Sequence, residues 1–226
     1  MGDLVIYHGS ERVVGTPVYG SGNPHNDYGI GFYCTRERDM AAEWACKTPA
    51  GGYVNRYELA ADGLDILRLT DPSIHILNWL AILLYNRIFP LANPLPREAR
   101  QYILETFLPD YKARDVIIGY RADDSYFSFA RAFLNNTISL SQLSSVMRLG
   151  RLGEQVMIRS REAFGRMVFS GAEFVPGTIW YPRRIARDAA ARDAFRDLSA
   201  EMKASDAIFM LDILREKWRN DDERLF

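Results

Sequence analysis

Three short segments of the sequence contain residue types that could bind a ligand or act on one. The first is Tyr7-His8-Gly9-Ser10, which closes the apolar run that starts at Leu4. A histidine at the end of a strand can hold a sugar hydroxyl, and a glycine next to it lets the backbone approach a flat ligand closely. A histidine that only packs at a strand end would look the same, so this segment leaves a structural role open.

The second segment is Gly29-Ile-Gly-Phe-Tyr33, with Trp44 eleven residues after its tyrosine. A helix is predicted to begin after Thr35 and to carry Trp44. If that helix folds back over the strand, Tyr33 and Trp44 face one pocket and form a slot for a planar ring. The alternative is an aromatic pair buried in the core.

The third segment, Gly153-Glu154-Gln155, places a carboxylate at the head of an apolar strand. Burying a carboxylate without a partner is costly, so Glu154 either stays solvated at the strand edge or points over a pocket. In the second case it is a candidate catalytic group, because a carboxylate can stabilise positive charge and accept a proton.

The charge of the chain is balanced, with 28 Lys and Arg against 29 Asp and Glu and a net charge of −1. This balance does not predict a surface that neutralises many phosphates of a nucleic-acid duplex. One stretch departs from it, because residues 148–187 contain eight arginines and three glutamates. That stretch is either a solvated face or a surface that faces an anion.

Hydrophobic periodicity and turn residues predict an α+β fold in which strands flank a largely helical middle. The predicted strands cover residues 4–7, 52–59, 64–69, 116–119, 153–160 and 166–175. The predicted helices cover residues 36–47, 97–107, 126–134, 139–147 and one or two segments within 186–218, and a further helix starts at Asp71-Pro72. A chain of 226 residues is long enough for one core, so we expect a single domain over residues 1–226.

Features of a secreted, membrane-bound or metal-binding protein are not evident in the sequence. The N-terminus has no basic region followed by an apolar core, and the longest apolar stretch, residues 74–90, is interrupted by polar side chains. Cys34 and Cys46 stand twelve residues apart, which suits neither a disulfide framework nor a Cys-x-x-Cys metal pair. We therefore expect a cytoplasmic protein that binds neither a metal nor a membrane.

In this order, the three segments resemble the ADP-ribosyltransferase superfamily, in its poly(ADP-ribose)-polymerase-like branch. That branch carries His-Gly-Ser on one strand, Gly-x-Gly followed by Ile or Phe and a tyrosine on the next, and a glutamate at the head of a later strand. Over most of residues 4–175 the chain is similar to the bacterial DUF3990 family. The strings that carry this similarity are Tyr-His-Gly-Ser from Tyr7, Asp-Tyr-Gly-Ile-Gly-Phe-Tyr-Cys-Thr from Asp27, Ala-Glu-Trp-Ala from Ala42, Asp-Val-Ile-Ile-Gly-Tyr-Arg-Ala-Asp-Asp from Asp115 and Leu-Gly-Arg-Leu-Gly-Glu-Gln from Leu149.

The resemblance implies a split β-sheet ADP-ribosyltransferase fold with a helical insertion at about 71–148 and a helical tail after about 186. It implies that NAD is the substrate and that His8, Tyr33 and Glu154 are the catalytic set. The NAD-binding residues that it implies are His8, Gly9, Ser10, Gly31, Tyr33 and Trp44. Many relatives carry a serine eight residues after the tyrosine, where this chain has Ala41, so one hydrogen bond to the nicotinamide carboxamide is missing or is made by another residue.

The activity that follows from the resemblance is transfer of ADP-ribose from NAD to a macromolecular acceptor, either a protein or a nucleic acid. DUF3990 members are often found beside small partner genes, which points to an intracellular bacterial toxin with a small antitoxin partner. Two alternatives remain open: an NAD glycohydrolase that depletes NAD, and a non-catalytic module that binds NAD or a partner. The intact set of His8, Tyr33 and Glu154 argues against the non-catalytic module.

Overall fold

The computed structural model describes residues 2–91, 93–122, 124–149, 153–201 and 207–226, with the backbone alone for residues 124–126, 146–149, 188, 191, 192 and 194–201. In these residues seven strands form one mixed sheet: β1 (Leu4–Ser10), β2 (Phe32–Thr35), β3 (Gly52–Leu59), β4 (Ile66–Arg68), β5 (Val116–Tyr120), β6 (Glu154–Ile158) and β7 (Met167–Val175). The strand order is β4-β5-β6-β2-β1-β3-β7. The β4–β5 pair is parallel and the other pairs are antiparallel.

The sheet is nearly divided between β1 and β2. In the described part of the chain, Tyr7 opposite Thr35 is the one residue pair that joins these two strands. Seven pairs join β1 to β3, and four pairs join β2 to β6. The two halves therefore diverge beyond Tyr7.

Eight α-helices accompany the sheet within the described residues: α1 (Arg38–Ala45), α2 (Ile76–Asn86), α3 (Pro94–Phe107), α4 (Asp124–Leu134), α5 (Leu140–Leu149), α6 (Arg161–Gly165), α7 (Gly177–Glu201) and α8 (Met210–Glu216). The α+β class is therefore confirmed. Helices α2 to α5 occupy the region predicted as the insertion, about 71–148, with α5 ending at Leu149, but β5 also lies there and pairs with β4 and β6. The insertion is thus two pairs of helices separated by a core strand.

Local side-chain contacts move the starts of three helices away from their predicted positions. The sequence predicts a helix from Asp71-Pro72, which is wrong, because Asp71 Oδ1 accepts hydrogen bonds from the amide and the hydroxyl of Ser73 and closes a turn instead. The helix predicted after Thr35 begins two residues later, since Thr35 ends β2 and its Oγ1 accepts from the amide of Glu37. Helix α3 begins earlier than predicted, at Pro94, because proline is tolerated in a first turn.

The C-terminal tail packs on its own domain. It is helical from Gly177, earlier than the predicted start near 186. Met210 and Ile213 of α8 are fully buried, and Trp218 joins them in the core that α2 forms with α3 and α4. The apolar face of α8 is therefore an internal contact.

None of the helices in the described part of the chain has the length and apolar character needed to cross a bilayer. Cys34 and Cys46 are both buried as thiols. Within the same residues, His, Cys, Asp and Glu side chains do not cluster in threes as a metal site would require.

Candidate functional site

A cleft of about 380 Å³ lies beside the junction of β1 and β2. Its walls come from both halves of the sheet and from α1: Gly9 on β1, Tyr33 on β2, Gln155 on β6 and Trp44 on α1. The other lining residues are Asn26, Asp27, Lys47, Arg87, Arg121, Ala122 and Arg184. A volume of this size is in the range of small-molecule sites.

Two aromatic rings face this cleft, as the sequence spacing predicts. The hydroxyl of Tyr33 donates to the carbonyl of Gly29 (2.7 Å) and accepts from the amide of Tyr28 (3.0 Å). These two hydrogen bonds fix the orientation of the ring. Burial raises the pKa of Tyr33 well above its usual value, which keeps the hydroxyl protonated and able to donate. Trp44 is half-buried, and its Nε1 is buried without a hydrogen-bond partner in the described residues.

The glycines of the motif allow close packing around the cleft. Gly29 has φ +81°, a left-handed conformation that favours glycine. At Gly31 a Cβ would collide with the side chain of Met157 and lie 2.7 Å from the carbonyl oxygen of Ile158. At Gly9 a Cβ would run into α1, 2.7 Å from the amide of Ala45 and closer still to a carbonyl of that helix. Gly9 lines the cleft, whereas Gly31 serves the contact of β2 with β6.

His8 bridges the gap between the two diverging strands. Its Nδ1 lies 2.7 Å from the carbonyl oxygen of Tyr33, and its ring centroid is 4.4 Å from that of Phe32. Because a carbonyl can only accept, Nδ1 carries the proton, and in the neutral ring Nε2 is then an acceptor. Burial lowers the pKa of His8, and the nearby charge of Lys47 lowers it further. The hydrogen bond to the Tyr33 carbonyl acts in the opposite direction and raises this pKa. His8 lies outside the residues that line the cleft, next to Gly9 in the chain.

We expect the free energy of unfolding to fall as the pH drops below about 6.5, the ordinary value for histidine. The pKa of His8 is lowered in the folded protein, so the unfolded chain binds a proton there at a pH where the folded chain does not. The pKa of His75 is lowered by burial too and acts in the same direction. Denaturant unfolding from about pH 8 to about pH 5 should show a smaller loss for His8→Asn than for the unaltered chain. Equal losses would contradict this role of His8.

A buried carboxylate, Asp27, joins the cleft walls. Asp27 Oδ1 accepts from Arg87 Nε (2.9 Å) and Nη2 (2.7 Å). Asp27 Oδ2 accepts from the amide of Ala122 (2.9 Å) and from Gln155 Nε2 (3.0 Å). The sequence did not predict this network. Asp27 and Gln155 lie in the segments Asp27–Thr35 and Leu149–Gln155, far apart in the chain, and nothing in the sequence indicates that they meet.

The cleft is strongly basic. Four cations, Lys47, Arg87, Arg121 and Arg184, line it against the single carboxylate of Asp27. Arg184 belongs to the arginine-rich stretch 148–187, so at least this member faces a concave surface. Lys47 and Arg184 have no ion-pair partner among the described residues. Such a set of cations suits an anionic ligand.

Glu154 and Ser10 lie beside the cleft rather than in its wall. Glu154 is half-exposed and its Oε1 accepts from Thr70 Oγ1 at 3.2 Å, while the next residue, Gln155, lines the cleft. The hydroxyl of Ser10 donates to the carbonyl of Arg12 (2.7 Å) and accepts from Asn55 Nδ2 (2.9 Å). Ser10 therefore supports the end of β1, and its contact with a ligand stays a prediction.

A second cavity of about 700 Å³ lies on the side of Thr70. Thr70, Tyr120 and the C-terminal Phe226 are part of its wall. Tyr120 stands opposite Glu154 in the β5–β6 register and belongs to the wall of this cavity, whereas Gln155, next to Glu154 in the chain, lines the cleft. Glu154 itself lines neither of them, and its contact with Thr70 links it to the wall of the cavity.

A family model with the description "Protein of unknown function (DUF3990)" matches residues 4–169 of this chain. The match covers β1 to β6 and the first part of β7, and it includes His8, Tyr33, Trp44 and Glu154. Neither a curated protein nor a solved structure matches the chain.

Proposed function

The chain belongs to the DUF3990 family, whose description assigns no activity, and we propose that it is an NAD-dependent ADP-ribosyltransferase of the poly(ADP-ribose)-polymerase-like type. One observation carries this proposal: a single cleft combines two aromatic rings, Tyr33 and Trp44, with a set of cations. NAD joins a planar nicotinamide ring to a diphosphate through a ribose. The cleft offers partners for the ring and for the diphosphate, and the proposed partners of the ribose, His8 and Glu154, are chain neighbours of the lining residues Gly9 and Gln155.

The expected placement of NAD follows from this division. The nicotinamide ring enters between Tyr33 and Trp44, where stacking on aromatic faces is favourable. The diphosphate lies near Lys47, Arg121 and Arg184, because ionised donors form the strongest hydrogen bonds to phosphate oxygens. The Asp27 carboxylate accepts four hydrogen bonds from protein groups, so its own lone pairs are largely occupied.

The chemistry breaks the bond between the nicotinamide nitrogen and C1′ of the ribose. The bonding electrons leave with nicotinamide, which departs as a neutral base, so no general acid is needed. The ribose passes through an oxocarbenium-like state, as in glycoside hydrolysis, and the acceptor forms the new bond to C1′ while losing its proton. Glu154 stabilises the positive charge and takes or orients that proton. His8 Nε2 accepts a hydrogen bond from a ribose hydroxyl.

Hydrolysis of NAD is the second candidate. The contact between Glu154 and Thr70 is exposed to solvent, so water can reach the carboxylate that would activate an acceptor. A transferase requires a macromolecule to displace that water. The fate of labelled NAD separates the two activities.

The proposal is tested by incubating the purified chain with NAD labelled in its adenylate part and with a bacterial lysate. Transfer predicts label in macromolecules, and separate digestion with protease and nuclease identifies the acceptor as protein or nucleic acid. Hydrolysis predicts free labelled ADP-ribose and released nicotinamide. Intact NAD under all conditions would contradict both activities.

We expect expression of the chain in the cytoplasm of a bacterium to arrest growth, because uncontrolled consumption of NAD or modification of acceptors harms the cell. Glu154→Gln should relieve the arrest. The matched variant Glu58→Gln should not, since Glu58 is an exposed strand residue paired with Arg56. Colony counts after induction measure this effect.

The proposed toxin would have a small antitoxin partner, encoded beside it. Co-expression of the neighbouring small gene product should restore growth for the unaltered chain. Harmless expression of a chain that is active in vitro would contradict the toxin role and favour a housekeeping modifier.

A further inference from the structure

Arg121 lies over the ring that is proposed to hold nicotinamide. Its guanidinium carbon is 4.9 Å from the centroid of the Trp44 ring, and both residues line the cleft. Arg121 directly follows β5, so the segment after that strand reaches across to α1. A guanidinium over an indole face is an attractive cation–π contact.

This contact competes with ring stacking. A nicotinamide ring and the Arg121 guanidinium cannot cover the same face of Trp44 together. Trp44 Nε1 has no hydrogen-bond partner in the described residues, so packing and the stacked guanidinium hold the indole in place. A planar ligand that stacks on the face covered by Arg121 has to replace the guanidinium, and the free-energy cost depends on which groups that cation contacts afterwards.

We propose that Arg121 selects the intact dinucleotide over free nicotinamide; this inference rests on the proposed function. Free nicotinamide displaces the guanidinium and has no anionic group that could accept hydrogen bonds from it. NAD displaces it too but carries a diphosphate, with which a guanidinium forms bidentate charged hydrogen bonds. A ligand can favour the displaced position of Arg121 over the stacked position only if it binds more tightly to the displaced one. Of nicotinamide and NAD, only NAD has a diphosphate that stabilises the displaced position. Nicotinamide is the leaving group, so this selection also limits rebinding of the product.

The test is calorimetric titration of the full chain with nicotinamide, ADP-ribose and NAD, each alone. For Arg121→Ala we expect nicotinamide to bind about threefold to tenfold more tightly, because the competing cation is gone. ADP-ribose should bind about tenfold more weakly or worse, because a charged partner of the diphosphate is lost. Arg121→Lys keeps the charge without the planar guanidinium, so its ADP-ribose affinity should lie closer to that of the unaltered chain.

Arg183→Ala is the matched control. The Arg183 guanidinium carbon lies 4.7 Å from the centroid of Trp180, and neither residue lines the cleft. Its affinities for all three ligands should equal those of the unaltered chain. If Arg121→Ala changes the affinities for nicotinamide and ADP-ribose in the same direction, or changes neither, this inference is wrong, whereas the proposed binding of NAD is unaffected. No binding of any ligand to the unaltered chain would overturn the proposed function and this inference with it.

Discussion

Replacement of Glu154 by glutamine should lower the turnover number for ADP-ribose transfer by on the order of 100-fold or more, with little change in the KM for NAD. The proposed role of the carboxylate is to stabilise charge that develops in the transition state, so its loss acts on kcat rather than on ground-state binding. A glutamine oxygen can still accept from Thr70, as Glu154 does, so the local structure should persist. Steady-state release of nicotinamide measures both constants.

The control for this prediction is Glu58→Gln, which removes an exposed carboxylate from β3. It should keep the turnover number of the unaltered chain. If folded Glu154→Gln protein turns over NAD at the same rate as this control, Glu154 has no part in the mechanism.

Asp27→Ala should destabilise the protein by about 3–5 kcal/mol, the cost of removing one partner of a buried ion pair. The loss removes the acceptor of the Ala122 amide and one acceptor each of Arg87 and Gln155, which keep the carbonyls of Ala122 and Tyr120. These groups belong to three separate segments of the cleft wall, so NAD binding should be lost as well. The free energy of unfolding in denaturant tests the first effect.

The matched control is Asp65→Ala. Asp65 also pairs with an arginine, since both of its carboxylate oxygens accept from Arg114 Nη1 at 2.9 Å, but both side chains are partly exposed. An exposed ion pair contributes about 1 kcal/mol or less, so this variant should be close to the unaltered chain. An equal decrease in the free energy of unfolding in the two variants would show that the Asp27 network contributes no more to stability than an exposed ion pair.

Local sequence signals account for the strands and for part of the site. Strand β3 occupies the predicted range, 52–59, because its side chains alternate and turn residues bound it on both sides. Tyr33 and Trp44 share the cleft because only the end of a short strand and about two helix turns separate them, a relation that follows from their spacing in the sequence. Linear spacing does not explain why residue 31 must be a glycine, because this depends on how closely β6 packs against it.

Long-range contacts could not be read from the sequence in the same way. The partners of Asp27 stand 60, 95 and 128 residues away, and no local pattern links them. Strand β5 is predicted as an element, but its pairing with β4 and β6 places it in the main sheet rather than among helices alone. Nothing in the sequence distinguishes Lys47 and Arg87 from other cationic residues, and it is the fold that brings them to one cleft.

A crystal structure of Glu154→Gln with NAD would test the central claim most directly, because this variant should bind the substrate without consuming it. The account predicts the nicotinamide ring between Tyr33 and Trp44, with the Arg121 guanidinium moved from Trp44 to the diphosphate. A ribose hydroxyl should lie within hydrogen-bonding distance of His8 Nε2, and C1′ should face residue 154. NAD bound only in the cavity of about 700 Å³, or a cleft that stays empty at saturating NAD, would contradict the account.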